Sequence, residues 1–142
     1  MQPDQIKRQE HLAIYSPLGL KDFCANFKSS LGLPEMHFDS ENETEWGVIE
    51  FENIEYNVSR PFEKGTLQEW DYSTPTDCNY GITLVIHKNH PSANDSKWVT
   101  DNLVAYVANC LASTFRTPVY YHRTWFGIGR NEIKNTTFNT NN

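Results

Sequence analysis

The sequence predicts an α+β domain: a curved, mainly antiparallel sheet of five to six strands with two helices packed on it, in the order β-α-β-β-β-β-α-β. Three observations carry this. Between Glu45 and Lys88, short apolar runs alternate at period two, as half-buried strands do. Two other stretches, one through Leu20, Phe23, Cys24, Phe27 and Leu31 and one through Trp98, Leu103, Val107 and Leu111, repeat their apolar residues at helical spacing. With 142 residues, the chain is the size of one domain, read as residues 1–134 with a disordered polar tail at 135–142.

In chain order, residues 1–10 are polar and read as frayed. Leu12 to Tyr15 make a short first strand, ended by Ser16-Pro17. A helix follows from about Leu18 to Leu31, with Gly32 suited to its C-terminal cap and Pro34 barring continuation. Met36 to Asp39 form a second strand, followed by the polar turn Ser40 to Glu43. Ile49 and Phe51 then face one way, Glu50 and Glu52 the other. After a tight turn at Glu52-Asn53, Ile54, Tyr56 and Val58 alternate against Glu55, Asn57 and Ser59.

The loop from Arg60 to Asp77 has 18 residues, beyond the usual connection length, which points to function or irregular packing. Ile82, Leu84 and Ile86 define a strand from Gly81 to His87. The second helix spans about Asp95 to Thr114, with Asn94 or Asp95 as its N-cap. Val119 to His122 is the last strand, and Trp125 to Gly129 a turn or short segment. The expected core contacts are Phe23, Phe27, Leu31, Leu103, Val107 and Cys110.

Composition narrows the function. No run of 18 apolar residues exists, so no membrane span is expected, and the N-terminus lacks the apolar middle of a signal peptide. A cytoplasmic protein is therefore expected. Three cysteines without CxxC spacing argue against a disulfide framework or a zinc site. The net charge of −6 is unevenly spread: residues 35–77 hold twelve acids and two bases, so −10 sits in that stretch. Such a field repels nucleic acid and attracts basic partners, or serves only solubility.

Catalytic signals are weak. His87 and His90 share the spacing H-K-N-H, which lacks the further ligands of known zinc patterns. His122 beside Arg123 fits a strand-end histidine as well as an anion contact. GxSxG, HExxH and a phosphate-cradling loop are absent, and Gly127-Ile128-Gly129 is only a fragment of one. No catalytic residue, metal or cofactor is expected, and the protein is read as a non-enzyme. The surface carries more. Trp70 lies between Glu69 and Asp71, with Tyr72 next, as an interface anchor within a charged rim does. The competing reading buries Trp70 as a plug at one end of the sheet.

The run NVSRPFEKGTLQEWDYSTPTDCNYGITLVI, with the later PVYYHRTWFGIG, resembles bacterial immunity proteins of contact-dependent growth inhibition and related polymorphic toxin systems. The similarity covers roughly a third of the chain. It implies a cytoplasmic protein that binds the C-terminal domain of one cognate toxin, often a nuclease, and occludes its active site. No binding residue carries over from the family. Residue chemistry selects Glu50, Glu52, Glu55, Glu69, Trp70, Asp71 and Tyr72 as the toxin-binding surface, with no nucleic acid or membrane partner. A second run, HLAIYSPLGLKDFCANFKSSLGL followed by three strands, is similar to one βαβββ module of the glyoxalase and dioxygenase-like superfamily. That resemblance implies a metal-dependent enzyme or small-molecule binding protein, with His11 and Glu50 or Glu55 as ligands. Only a helix and one clear strand remain after Lys88, short of the second module such a fold needs.

Overall fold

Alternating residues on β1 (Ile6–Ile14), β4 (Ile54–Pro61) and β5 (Tyr80–His87) supply an apolar face that must be covered. In the computed structural model, which describes residues 2–70, 74–93, 102–127 and 130–139, two helices cover it: α1 (Leu20–Leu31) and α3 (Asn102–Phe115). The remaining strands are β2 (His37–Ser40), β3 (Thr44–Phe51), β6 (Val119–Gly127) and β7 (Arg130–Phe138). A short helix, α2 (Thr66–Trp70), lies between β4 and β5, and a 3-10 turn at Pro3–Gln5 precedes β1. The seven strands form one open sheet in the order β2-β3-β4-β5-β1-β6-β7, with every neighbouring pair antiparallel.

The α+β class and the one-sided cover of helices agree with the sequence reading, but the sheet is larger than five to six strands. The first difference is at the N-terminus. The polar start, read as frayed through residue 10, enters β1 at Ile6 and pairs with β5 from Ile6↔His87 to Ile14↔Tyr80. Beyond the register shift between Ile6 and Arg8, its helix-facing positions are Arg8, Glu10, Leu12 and Ile14. Arg8 and Glu10 hid the alternation because they are charged yet inward-facing. Glu10 is 1 % exposed, contacted by Arg8 Nη1 at 3.2 Å and by the Tyr121 hydroxyl at 3.2 Å. A buried charge is tolerable only when paired and hydrogen-bonded in this way.

The second difference is at the C-terminus. The strand ended at His122 in the reading continues to Gly127, and β7 runs back from Arg130 through Phe138. The tail expected to be disordered from residue 135 is thus sheet as far as Phe138, paired with Val119. Its polar sequence suits an edge strand, where charged and polar residues discourage further pairing. Only Val119–His122 of β6 pair with β1, so beyond His122 the described hairpin pairs with itself.

Both helices end and pack as their stripes dictate. Gly32 adopts φ 66° at the C-cap of α1 and donates to the Lys28 carbonyl, a left-handed conformation that favours glycine. Phe23 stacks on Tyr80 of β5 at 4.0 Å between centroids and on Phe115 of α3 at 4.4 Å, tying both helices to the sheet. Phe27 meets Tyr56 edge-on at 6.2 Å. The buried stripe of α3 is Val104, Val107, Ala108, Leu111 and Ala112. Leu103, Cys110 and Leu31, expected in the core, lie half-buried beside it. The expected N-terminal turn of this helix, including Asn94, Asp95 and Trp98, lies outside the described residues.

Phe27 is fully buried, so Phe27→Ala should destabilise the fold by about 3–5 kcal/mol. Leu103→Ala, from the edge of the stripe, should cost ~2 kcal/mol or less on the same scale. Urea denaturation of the two variants measures both. Equal costs would mean that the α3 stripe is wrongly phased.

Candidate functional site

The end of the sheet where β4 stops is built by side chains holding loops, not by a continuous strand pair. Arg60 anchors it: its guanidinium bonds Glu45 Oε1, reaches the Leu18 carbonyl at 3.3 Å, and lies 5.6 Å from the Tyr80 ring centroid. The chain then leaves β4 at Pro61, and the Phe62 amide donates to the Glu43 carbonyl of the β2–β3 turn. A turn at Glu63–Gly65 opens α2, which the sequence reading left as loop. Leu67 of α2 lies over Gly81, where an added Cβ would approach its Cδ1 to 3.2 Å. Gln68 Nε2 donates to the carbonyls of Pro75 at 2.7 Å and Cys78 at 2.9 Å, lashing α2 to the segment that enters β5. Asn79 exchanges hydrogen bonds with the Ser16 backbone and closes the end of β1 in the same way.

This framework leaves large aromatic side chains outside. Tyr15 is 44 %, Phe62 54 % and Trp70 51 % exposed, at one end of the molecule. Tyr15, Phe62, Leu67 and the segment Thr76–Asn79 line a cleft of about 470 Å³, with Glu63, Lys64 and Asp77 among its walls. Trp70 faces the β2–β3 turn across a groove of about 510 Å³ lined by Glu41, Asn42, Glu43 and Thr44. Trp70 is not a plug: the five-residue helix presents its indole to solvent beside exposed carboxylates. Tyr15, Glu41, Glu43 and Glu63 were missed as partners because only pairing between distant segments brings them here.

The structure divides the expected toxin-binding residues. Glu69 and Trp70 end α2 and are exposed at this end. Glu50 and Glu55 face each other across β3 and β4 on the helix-free side of the sheet. Glu50 is six residues along β3 from Thr44, roughly 20 Å at a strand rise of about 3.4 Å per residue. Glu52 does not continue the alternation. With Asn53 it occupies the two-residue turn, at φ 50° and 66°, as a type I′ hairpin requires. Its charge acts on Tyr56, which faces the helices; burial first and Glu52 second hold that phenol above its usual range. Asp71 and Tyr72 lie outside the described residues. Two acids of the segment are held in ion pairs, Glu35 with Lys28 and Glu45 with Arg60.

The ligand set implied by the glyoxalase-like resemblance is not assembled. His11 lies on β1 and Glu55 on β4 with β5 between them, and His11 Nδ1 lies 3.2 Å from Thr83 Oγ1. Among the described residues, no group of three or more His, Cys, Asp or Glu side chains is placed to hold a metal ion. Among the described residues after β5 there is one helix and one hairpin, not a second βαβββ module.

The thiols and phenols near this end are kept neutral. Burial, with Asp77 adding to it, pushes the Cys78 thiol from 9.0 up to about 12. Cys24, on the buried face of α1, rises to about 12 through burial and then Glu45. Tyr120 of β6 is held above its usual range by burial first, then Asp77 and Cys78. All three cysteines are free thiols, and Cys110 is the more accessible. Folded-state pKa values above the unfolded ones contribute stability that is complete below about pH 9 and is lost as the pH rises towards 12. Alkaline denaturation should therefore set in between pH 9 and 12, and Cys24→Ala should flatten its pH slope, as read by urea midpoints at pH 8 to 11. At pH 8 a thiol reagent should label Cys110 well before Cys24 or Cys78; uniform labelling would contradict this burial.

Compared with protein-family models, curated proteins and solved structures, the chain finds no match.

Proposed function

We propose that this protein is an immunity protein that binds the C-terminal domain of a cognate toxin, a nuclease by the chemistry of its acidic surface, and neutralises it by covering the active site. The observation that carries the reading is the cluster of exposed aromatics Tyr15, Phe62 and Trp70 at one end, beside Glu41, Glu43, Glu63 and Glu69. Exposed aromatic anchors among charges have the composition of an interface in which the rings carry affinity and the rim guides approach. A nuclease needs cations to grip phosphate, so an acidic surface complements it and competes with its substrate.

In this reading the anchor is the α2 end, with Trp70 entering a recess on the toxin and Phe62 and Tyr15 beside it. Glu41 and Glu43 border the anchor and act in docking. Glu50, roughly 20 Å along β3, and Glu55 opposite it on β4 act through the longer-range field that steers encounter. Catalysis is not part of the role, and the protein acts in the cytoplasm, where an intracellular nuclease does its damage. No helix among the described residues is long and apolar enough to cross a membrane.

The test is association kinetics with the toxin domain encoded beside the gene, at two salt concentrations. Charge reversal at Glu41 and Glu43 should slow association, and the loss should shrink as salt rises. Trp70→Ala should instead speed dissociation and weaken binding by about 2 kcal/mol or more. Because Trp70 is exposed, this variant should keep the wild-type unfolding midpoint. Reversal of Glu50 and Glu55 should slow association less than reversal of Glu41 and Glu43. Wild-type kinetics in the Trp70 and Glu41/Glu43 variants would remove this surface from the interface.

A further inference from the structure

Two histidines, one ending β5 and one just beyond it, use the same ring nitrogen for the same purpose. His87 Nδ1 accepts the amide N–H of Asn89 at 2.9 Å, and His90 Nδ1 accepts that of Ser92 at 2.9 Å. A backbone N–H can only donate, so each Nδ1 must present a lone pair, which places the single ring proton of the neutral imidazole on Nε2. Each bond runs from residue i to the amide of i+2, the geometry in which Asn and Asp side chains cap turns. Backbone bonds complete the pattern: the His90 amide donates to the His87 carbonyl and the Ala93 amide to the His90 carbonyl, both at 2.9 Å. The segment is therefore two consecutive turns, each opened and capped by a histidine.

Three further hydrogen bonds among the described residues tie it to the neighbouring elements. The Lys88 amide donates to the Gln5 carbonyl at 2.8 Å, and Arg8 Nη2 donates to the Ser92 carbonyl at 2.9 Å. The His87 amide reaches the Asn53 carbonyl of the β3–β4 turn at 2.9 Å. We propose that His87 and His90 form an acid-sensitive latch on the connection between β5 and α3. A proton taken up at Nδ1 consumes the lone pair and sets N–H against N–H, so both turns lose their caps and the 88–93 segment loosens. The charged side chains on the elements touching this segment are Asp4, Lys7, Arg8, Glu10, Glu52, Glu55, Arg60 and Lys88, and β1 also carries His11. These are four carboxylates and four cations, so the loss of the backbone caps, not a field of one sign, drives the change.

The experiment uses the full chain, labelled with 15N. At pH 8, ring-nitrogen shifts should show Nδ1 unprotonated and Nε2 protonated in both histidines. Amide exchange is then followed from pH 8 to 5 and expressed as protection factors. Protection at Asn89 and Ser92 should fall at least tenfold while Ile82 and Leu84 in β5 hold theirs. The double variant His87→Asn, His90→Asn supplies the same i to i+2 acceptors without a titrating proton, and should keep its protection to pH 5. Because His87 is only 8 % exposed, His90→Asn alone is measured too, with the effect read at Ser92. A protonated Nδ1 at pH 8 in either ring would overturn the proposal. So would equal loss of protection in the wild type and the asparagine variants.

Discussion

The structure depends on the stack Phe115–Phe23–Tyr80. Three rings lie nearly parallel, with centroid spacings of 4.0 and 4.4 Å, and they come from α3, α1 and β5 in turn. Neither helix is joined to the other by a short loop, so their packing has to be set through side chains. Tyr80 passes the constraint on, its hydroxyl donating to the Leu18 carbonyl at 2.6 Å and its ring facing the Arg60 guanidinium. Burial of that hydroxyl pushes the phenol up to about 12, against the lowering effect of Arg60. Arg60 in turn holds Glu45 of β3. One line of contacts thus fixes both helices, the central strand and the end of β4 from which the aromatic surface emerges.

A second constraint works at the opposite end of β1. Burying Arg8 and Glu10 among apolar residues costs desolvation that an apolar pair would avoid. Tyr121 and the Ser92 carbonyl satisfy part of the pair, and those contacts join β1 to β6 and to the segment after β5. The pair also penalises a slipped register. A slip of one residue along β5 would turn both charges to the other face and bring Lys7, Gln9 and His11 into the core.

The same register logic explains why the acidic stretch is not one surface. Residues 41–55 hold their acids at both ends of β3, and an extended strand keeps those ends far apart. β4 carries the polypeptide back to the Thr44 end, where Pro61 lies opposite Thr44 and the long connection begins. That return brings Phe62 to Glu43 and Trp70 to the β2–β3 turn. The surface is consequently composite, made from three segments that no local pattern links.

By itself the sequence determined the elements whose chemistry is local. The period-two runs of β3, β4 and β5, the stripe and glycine cap of α1, and the turn at Glu52-Asn53 all follow from backbone preferences and one-sided burial. The same is true of the acidic excess and of an aromatic set among acids. The tertiary structure alone decided the rest. The start of β1 read as polar because its inward charges are satisfied by each other and by Tyr121 and Ser92, residues distant in the chain. β7 read as a tail because an edge strand needs no apolar alternation of its own. Trp70 turned outward because Gln68, beside it, spends its amide on the Pro75 and Cys78 carbonyls while Leu67 takes the place over Gly81. Periodicity reports which residues seek burial, but only contacts between distant segments determine which charges can be buried and which rings are left outside.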